Sequence, residues 1–425
     1  MTVLKRIFAL LFLSVTAACI DPYVPNLKSS NSLLVVEGLV SNENSSYKVK
    51  LGRTFNHQSS DPEKVTDANV YIIDGDGIKT EFQNCGNGYY KTDSTSFIGA
   101  IGQKYTLHIF TSDGNEYKSD ECTMLPVAGI DKLYYTNGEE ISGNQGESFP
   151  GLRIMLNSGD ATGLNKYFRW TFEETWKFDV PYPQQYTYAI INDTTYHFES
   201  VPVIKNICWK KNLSGEIITN SITSGGENYI KNQEIQFIDP VLSDRLTKEY
   251  SILVKQYSIS NTEYDFWNNI KKSGEAGGDI FTSLPYTVIS NIHNMNNGSE
   301  MVLGYFEVSA VSLKRIFITT HELDPLNLPD YKMDCFPIVK SPNDFPQPDP
   351  KAPWNGPFPP TWDKLYHIFT DDGTNIFIGP YISAGNIPGN VAKKNLVDLV
   401  FVPKTCAICE LMGFPTKPDF WVDLE

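Results

Sequence analysis

A series of short strand-like segments separated by turn signals restricts the fold of this chain more than any other feature. The segment YKVKLGRT (47–54) alternates lysine with valine and leucine, a period of two residues that is typical of a strand with one buried face. Glycine-containing turns follow at 74–77 (DGDG) and 113–114 (DG), where glycine accepts the positive φ that tight hairpins need. The pattern predicts a mainly β protein built from hairpins.

The spacing of the strands predicts two domains. Between residues 33 and 126, about seven short strands with turns roughly every eight to twelve residues indicate an immunoglobulin-like or transthyretin-like sandwich. From 127 to 425 the candidate strands are longer and more aromatic, as in YFRWTF (167–172). We therefore expect a larger β-rich domain after the sandwich.

One short helix is predicted inside the larger domain. Ser260 is followed three residues later by Glu263, which is the pattern of a capping box that begins a helix, and Gly274 is placed to end it. An apolar stripe on one face comprises Phe266, Trp267 and Ile270. Packing on the sheet explains this stripe, and docking of a partner is the alternative.

The N-terminus has the organisation of an export signal. Lys5 and Arg6 precede the apolar run 7–15, and small residues lead to Cys19. At a rise of 1.5 Å per residue, a run of about nine residues covers roughly half the hydrocarbon thickness of a bilayer. Residues 1–18 are therefore predicted to be a signal peptide that is removed, and not a membrane-spanning anchor.

Cys19 resembles the lipidated cysteine of bacterial lipoproteins, although Thr16 replaces the leucine that is usual at the first lipobox position. Two acyl chains on this thiol would provide the anchoring that a single chain cannot. Residues 19–32 are predicted to be a lipidated cysteine and a polar tether. The resemblance to lipoproteins implies a location on the outer membrane, with the face of the membrane undetermined. An ordinary cleaved signal peptide that leaves an unmodified cysteine is the alternative.

The cysteine count agrees with this assignment. Seven cysteines are an odd number, and reserving Cys19 for lipid leaves an even set for disulfides in an oxidising compartment. Cys85 and Cys122 are the two that fall within 33–126, so we predict that they pair. Two free buried thiols are the alternative.

The remaining cysteines lie in the larger domain. Cys406 and Cys409 form a CxxC motif, which we expect to reach Cys208 and Cys335 through two separate disulfides. A disulfide within the motif and a metal site are the alternatives. If all six cysteines are bridged, the mature protein has no free thiol.

Residues 341–362 (SPNDFPQPDPKAPWNGPFPPTW) are rich in proline. Because proline fixes φ and removes backbone donors, an ordered polyproline-type loop is predicted here. Aromatic side chains on a preorganised loop lose little entropy on binding, which suits a contact surface. The candidate partner contacts are Phe345, Trp354, Phe358 and Trp362. A lid packed over the domain is the alternative.

The sequence contains little that predicts catalysis. The GxSxG, HExxH and Walker-type motifs are missing from it, and its six histidines are dispersed. We therefore predict no catalytic residue, no metal and no cofactor. Asp74, Asp76, Asp113 and Glu116 could offer oxygen ligands to calcium, but such turns occur mainly for backbone reasons.

The net charge disfavours two classes of partner. Without the two basic residues of the signal peptide, 33 basic residues stand against 50 acidic ones, a net charge of about −17. A field of this sign repels nucleic acid and anionic lipid head groups. Any contact with a membrane is therefore expected to come through the lipid.

Several motifs occur together along the chain. They are the lipobox, LLVVEGLVSN, ANVYIIDGDG, GNGYY, IGQKYTLHIFTSDGNEYKSD, GGDIFTSLPYTVISNIHN, EMVLGYFEVSAVS and CAICELMGFPTKPDFW. Together they resemble a lipoprotein family of the Bacteroidota that is catalogued only as a domain of unknown function. The resemblance implies a gene neighbourhood with TonB-dependent transporters, an accessory role in uptake and no assigned catalytic residues. The matching residues, which we expect to be structural, are the hairpin glycines, Cys19, Gly304, Tyr305, Cys406, Cys409, Pro418, Phe420 and Trp421.

Two classes of function follow from these features. The favoured one is a non-enzymatic cell-envelope lipoprotein that serves as an accessory or ligand-binding partner of a TonB-dependent outer-membrane transporter. The alternative is a secreted glycan-binding or glycan-processing module. A cleft lined by tryptophans and paired carboxylates would distinguish the alternative.

Overall fold

The protein is described by a computed structural model. The described residues are 32–54, 63–93, 97–141, 146, 148–159, 163, 165–192, 195–202, 206–222, 228–276, 289–340, 370–371, 373–381, 390–392 and 398–423.

Strands dominate the described residues. In the first part of the chain they are β1 Leu34–Val40, β2 Lys48–Arg53, β3 Glu63–Lys64, β4 Asn69–Asp74, β5 Lys79–Asn84, β6 Tyr89–Lys91, β7 Lys104–Phe110, β8 Glu116–Ser119 and β9 Cys122–Thr123. Next come β10 Ile130–Ile141, β11 Ser148–Gly159, β12 Tyr167–Asp179, β13 Tyr186–Asn192, β14 Thr195–Ser200, β15 Ile207–Leu213, β16 Ile218–Ser221, β17 Tyr229–Ile238 and β18 Glu249–Ile259. The last are β19 Ile292–Asn294, β20 Leu303–Val308, β21 Val311–Thr319, β22 Ile338–Lys340, β23 Asn375–Tyr381, β24 Asn390–Ala392 and β25 Asp398–Pro403. The predicted mainly β class is confirmed.

The N-terminal sheet has the strand order β19-β8-β7-β4-β5-β6-β2-β1-β20, with β3 paired to β2 and β9 paired to β7. Its hairpins follow the predicted alternation, since Val36, Val49 and Leu51 are buried in one core with residues of β4, β7 and β8. The two ends of the sheet also meet, because the Asn291 side chain exchanges hydrogen bonds of 2.9 Å with the backbone of Phe306.

The N-terminal sheet extends beyond the predicted boundary at residue 126, because two later strands complete it. β19 pairs with β8, and β20 pairs in parallel with β1. Of the two consecutive strands within 303–319, β20 belongs to the N-terminal sheet. The second one, β21, belongs to the sheet β15-β12-β18-β21.

The larger β-rich region packs the sheet β10-β11-β17 against the sheet β15-β12-β18-β21. β12 continues beyond the predicted segment 167–172 as far as Asp179, and its even-numbered residues Phe168, Trp170 and Phe172 face the core between these sheets. The Trp170 indole donates a 2.8 Å hydrogen bond to Gln256 on β18. The odd-numbered residues of β12, among them Arg169, consequently face the opposite side.

The predicted helix is present as α1, Asn261–Ala276, and it continues past Gly274, which was expected to end it. Ser260 Oγ accepts a hydrogen bond from Glu263 N, as predicted, but the Glu263 carboxyl does not return to Ser260 and is buried. Phe266 and Trp267 pack against the sheets, so the packing interpretation of the apolar stripe is confirmed.

Two further helices of one turn, which the sequence did not predict, are α2 Thr320–Leu323 and α3 Cys409–Met412. Turns of 3₁₀ type occupy Asp244–Leu246, Asp324–Leu326 and Lys404–Cys406. Within the described ranges, none of the helices has the length and apolar character that crossing a bilayer requires.

Two disulfides, which we call the disulfide clamp, fasten the end of the chain. Cys208 on β15 is bonded to Cys409, and Cys335 is bonded to Cys406. The predicted pair of separate bridges that reach Cys208 and Cys335 is confirmed.

The predicted bond between Cys85 and Cys122 is wrong, because both thiols are free. Cys85 is exposed in the turn after β5. The Cys122 thiol instead contacts the Phe306 carbonyl at 3.7 Å and the Asn291 amide at 3.3 Å. Assigning cysteines by sequence segment failed here because later strands enter the sheet beside Cys122.

Candidate functional site

A cleft of about 550 Å³ lies between the N-terminal sheet and the larger region. One wall is the outward face of β2, β1 and β20, and the other consists of β12, β18 and α1. Clefts between two structural units are common places for ligand binding. This cleft is therefore our candidate functional site, and we name it the inter-sheet cleft.

Alternation along the strands places the side chains that line the inter-sheet cleft. On β1, Val36 and Val40 point into the core, so Glu37 and Leu39 face the cleft. Register sets Glu37 beside Tyr305 and Leu39 beside Glu307 on the parallel strand β20. Two rows of side chains therefore cross the floor.

Gly304 permits this close pairing of β1 and β20. Its φ is +91°, and a Cβ atom there would lie 1.8 Å from the Val36 carbonyl oxygen. No other residue fits without moving the backbone of β1. The expected structural role of Gly304 is thus confirmed, and it positions Tyr305 and Glu307 on the cleft.

An ion pair forms the floor of the inter-sheet cleft. Arg169 Nη2 donates to both carboxylate oxygens of Glu307 at 2.7 Å, and both side chains are largely buried. The guanidinium lies 4.8 Å from the ring centroids of both Tyr257 and Trp267, a favourable cation–π geometry. Burial has the largest effect and lowers the pKa of Arg169, but the charge of Glu307, its hydrogen bonds and smaller contributions together outweigh burial, so the net pKa is raised.

Glu263 adds a second buried carboxyl to this cluster. Burial raises the pKa of Glu263 well above its ordinary value, the Glu307 charge raises it further, and Arg169 opposes the shift. These effects favour the protonated, neutral form of Glu263. One positive charge and one negative charge then remain, and the cluster is neutral while it joins α1, β12 and β20.

Some buried polar atoms at the floor of the inter-sheet cleft have no hydrogen-bond partner. Within the described part of the chain, Arg169 Nε, Trp267 Nε1 and Glu263 Oε1 are buried without a hydrogen-bond partner. Buried polar groups without partners are uncommon in folded proteins and frequently mark functional positions. Polar and aromatic groups thus converge on one wall of the cleft.

Several predicted site residues lie outside the described residues. These are the lipidation candidate Cys19 and the candidate partner contacts Phe345, Trp354, Phe358 and Trp362. Of the residues considered for calcium, Asp74 accepts hydrogen bonds through Oδ1 from the backbone of Asp76 and Ile78. That is the backbone role of a turn residue.

No pattern in the sequence predicted a functional site at Arg169, Glu307, Trp267 or the lysines near them. A signal was present, because Arg169 and Glu307 each interrupt a strongly apolar or aromatic strand, YFRWTF and GYFEV. A charged residue in such a strand needs a partner. The identity of that partner, 138 residues away, is not encoded locally.

Comparison with known proteins identifies the family of this chain. No curated protein matches the chain. The family model described as "Domain of unknown function (DUF4249)" matches residues 20–315, which is more than two thirds of the 425 residues and includes every residue that lines the inter-sheet cleft. The chain therefore belongs to the DUF4249 family, a domain of unknown function.

Proposed function

We propose that this protein is a non-enzymatic, lipid-anchored lipoprotein of a bacterial outer membrane that binds a ligand in the inter-sheet cleft. We further propose that it is an accessory of a TonB-dependent transporter in a member of the Bacteroidota. The observation that carries the proposal is the cleft itself, where aromatic and charged side chains from both regions meet around a buried ion pair.

The chemistry of the cleft favours binding over catalysis. Glu307 lines the cleft, but both of its oxygens accept from Arg169. The rings of Tyr257 and Trp267 both lie against the Arg169 guanidinium, with their centroids 4.8 Å away. Because Arg169 and Glu307 bind each other, they form a preorganised surface for a ligand. A general acid or base must instead be accessible to its substrate.

Glycan processing finds less support than binding. The paired carboxylates of Glu263 and Glu307 and the indole of Trp267 match part of the pattern that would distinguish a glycan-processing site. However, Glu263 is buried and does not line the cleft. A glycosidase needs both carboxyl groups beside the bond that is cleaved.

The lipid anchor is tested with Cys19→Ala, and Cys85→Ala is the control because Cys85 is an exposed free thiol. Wild type and Cys85→Ala should incorporate labelled palmitate and stay with the outer membrane after a carbonate wash. Cys19→Ala should do neither, since covalent lipid is the proposed anchor. Retention of Cys19→Ala in the washed membrane would contradict the proposal.

The partner is tested by purifying the tagged protein from detergent-solubilised outer membranes. A TonB-dependent transporter should be recovered with it, and Trp354→Ala/Phe358→Ala should reduce that recovery. Truncated interface aromatics often cost about 2 kcal/mol, which corresponds to roughly thirtyfold in affinity. Equal recovery would exclude the loop as the contact, and recovery of no transporter with wild type would contradict the accessory role.

A further inference from the structure

Three lysines stand together on the outward face of the N-terminal sheet, at the rim of the inter-sheet cleft. Lys48 and Lys50 line the cleft from β2. Lys91 on β6 is directly opposite Lys48 in the antiparallel pair, and Tyr89 is directly opposite Lys50. Directly opposed residues share a face, with Cβ atoms about 4.5–5.5 Å apart. The three lysine side chains therefore start from neighbouring positions on one face of the sheet.

This arrangement is unusual because the lysines are not neutralised. Among the residues that the structure describes, none of the three forms an ion pair with a carboxylate. Two acidic residues share these rows: Glu37 lies directly across from Lys50, and Glu307, which is paired with Arg169, lies beyond Leu39 in the row of Lys48. Like charges directly opposite each other destabilise a sheet, and this chain has a net charge of −15. A positive rim on an acidic protein is complementary to an anion.

The neighbouring aromatic residues restrict the kind of anion. Tyr89 is 38% exposed, and its ring lies 5.7 Å from Lys50 Nζ. Tyr305 and Trp267 line the same cleft from the other strands and the helix. A simple inorganic anion makes no use of such rings, whereas a sugar ring packs its C–H face on an aromatic ring and directs its hydroxyl groups to polar partners.

We propose that the inter-sheet cleft binds an acidic carbohydrate, with its carboxylate, sulfate or phosphate groups at Lys48, Lys50 and Lys91. The sugar rings lie against Tyr89, Trp267 and Tyr305. This inference rests on the proposed function, in which the cleft is the ligand site, and it adds the chemical class of the ligand. Lysine ammonium groups bind such anions as point charges through charge-assisted hydrogen bonds.

The test measures binding of the full-length protein, purified in detergent, to a panel of oligosaccharides that carry uronate, sulfate or phosphate. Each is measured beside the neutral oligosaccharide with the same backbone. At least one acidic member should bind about tenfold or more tightly than its neutral counterpart, a difference of about 1.4 kcal/mol. The binding should weaken as salt is added, because exposed charges are screened.

The variant Lys48→Ala/Lys91→Ala should weaken this binding about tenfold or more. The matched control is Lys79→Ala/Lys104→Ala, which removes two exposed lysines from the same sheet whose strand partners, Ile73 and Thr123, do not line the cleft. Both variants change the net charge by the same amount. Equal losses in the two would show that only overall charge matters, and would overturn the proposed site.

A charge reversal separates a binding role from a structural one. Lys91→Glu places opposite charges at the pair with Lys48, so it should raise the urea midpoint of unfolding while it abolishes binding of the acidic sugar. A lower midpoint would show that Lys91 is required for the fold, and unchanged binding would overturn its role in the site.

The remaining outcomes distinguish this inference from the proposed function. If no acidic member binds, or if neutral sugars bind equally well, the inference is wrong. Recovery of the transporter partner with the same preparation would then leave the accessory function standing. If acidic sugars bind but no transporter is recovered, the ligand class holds and the accessory role fails.

Discussion

The N-terminal sheet and the end of the chain are stabilised in different ways. The N-terminal sheet encloses a large core that includes Val36, Leu107 and Phe306, and its two cysteines are free. The end of the chain packs in two small clusters around Phe178 and Val402, and each of these clusters contains one bond of the disulfide clamp. Small cores bury little apolar surface, so covalent links contribute more to their stability. In this protein the disulfides therefore lie where little apolar surface is buried, and the free thiols lie in the region with the large core.

The largest effect is expected from Gly304→Ala, which acts on the N-terminal sheet. The new Cβ would meet the Val36 carbonyl at 1.8 Å, so β20 must separate from β1. We expect the free energy of unfolding of this sheet to fall by more than about 4 kcal/mol, the range of exceptional substitutions. Urea denaturation measures the change.

Gly77→Ala is the matched control for Gly304→Ala. Its φ is +83°, close to that of Gly304, but no atom lies within 4 Å of the added Cβ. Only the backbone strain of a left-handed residue remains, which costs about 1–2 kcal/mol. Similar losses for the two variants would show that the close approach of β20 to β1 is unimportant.

An intermediate effect is expected from opening the disulfide clamp with Cys208→Ala/Cys409→Ala. Removing a native disulfide commonly costs about 2–5 kcal/mol, and the chain-entropy model predicts a larger cost for longer loops. The bonded residues are 201 positions apart, against 71 for Cys335–Cys406, a difference of about 1 kcal/mol in that model. Urea unfolding with amide hydrogen exchange should show lower protection around β15 and α3.

In the same exchange experiment, the strands of the N-terminal sheet should keep their protection, because no bond of the disulfide clamp involves them. Cys85→Ala, which removes an exposed free thiol, should leave both regions unchanged. Loss of protection throughout the chain would show that the two regions unfold as one unit, and the contrast between them would not hold.

The sequence separation between paired strands decides how much of the fold could be predicted from sequence. Hairpins between neighbouring segments follow from alternation and turn residues. β2 thus occupies the predicted strand 47–54, and the predicted turns at 74–77 and 113–114 join β4 to β5 and β7 to β8. The pairing of β1 with β20 joins segments more than 260 residues apart, and no local pattern encodes a partner at that distance. The inter-sheet cleft depends on this pairing, so the sequence indicated its strands but not its geometry. Cys122 was misassigned for the same reason.

The smallest effect, with no change in stability, is expected in the reactivity of the two free thiols. Burial is the main cause that raises the pKa of Cys122 from 9.0 to about 12, whereas Cys85 is exposed. Because the thiolate is the reactive form, raising the pKa by about three units lowers the reactive fraction near pH 8 about a thousandfold. In Cys19→Ala, iodoacetamide should modify Cys85 rapidly and Cys122 very slowly, as measured by mass spectrometry of peptides.

Unfolding the same unreduced sample in urea should expose Cys122 and bring its alkylation to the rate of Cys85, for a total of two thiols per chain. The four clamp cysteines should react only after reduction. Rapid alkylation of Cys122 in the folded protein would show that the edge between β9 and β20 opens readily. An absence of reactive thiols in urea would instead restore the Cys85–Cys122 bond predicted from sequence, and the N-terminal sheet would then be cross-linked like the end of the chain.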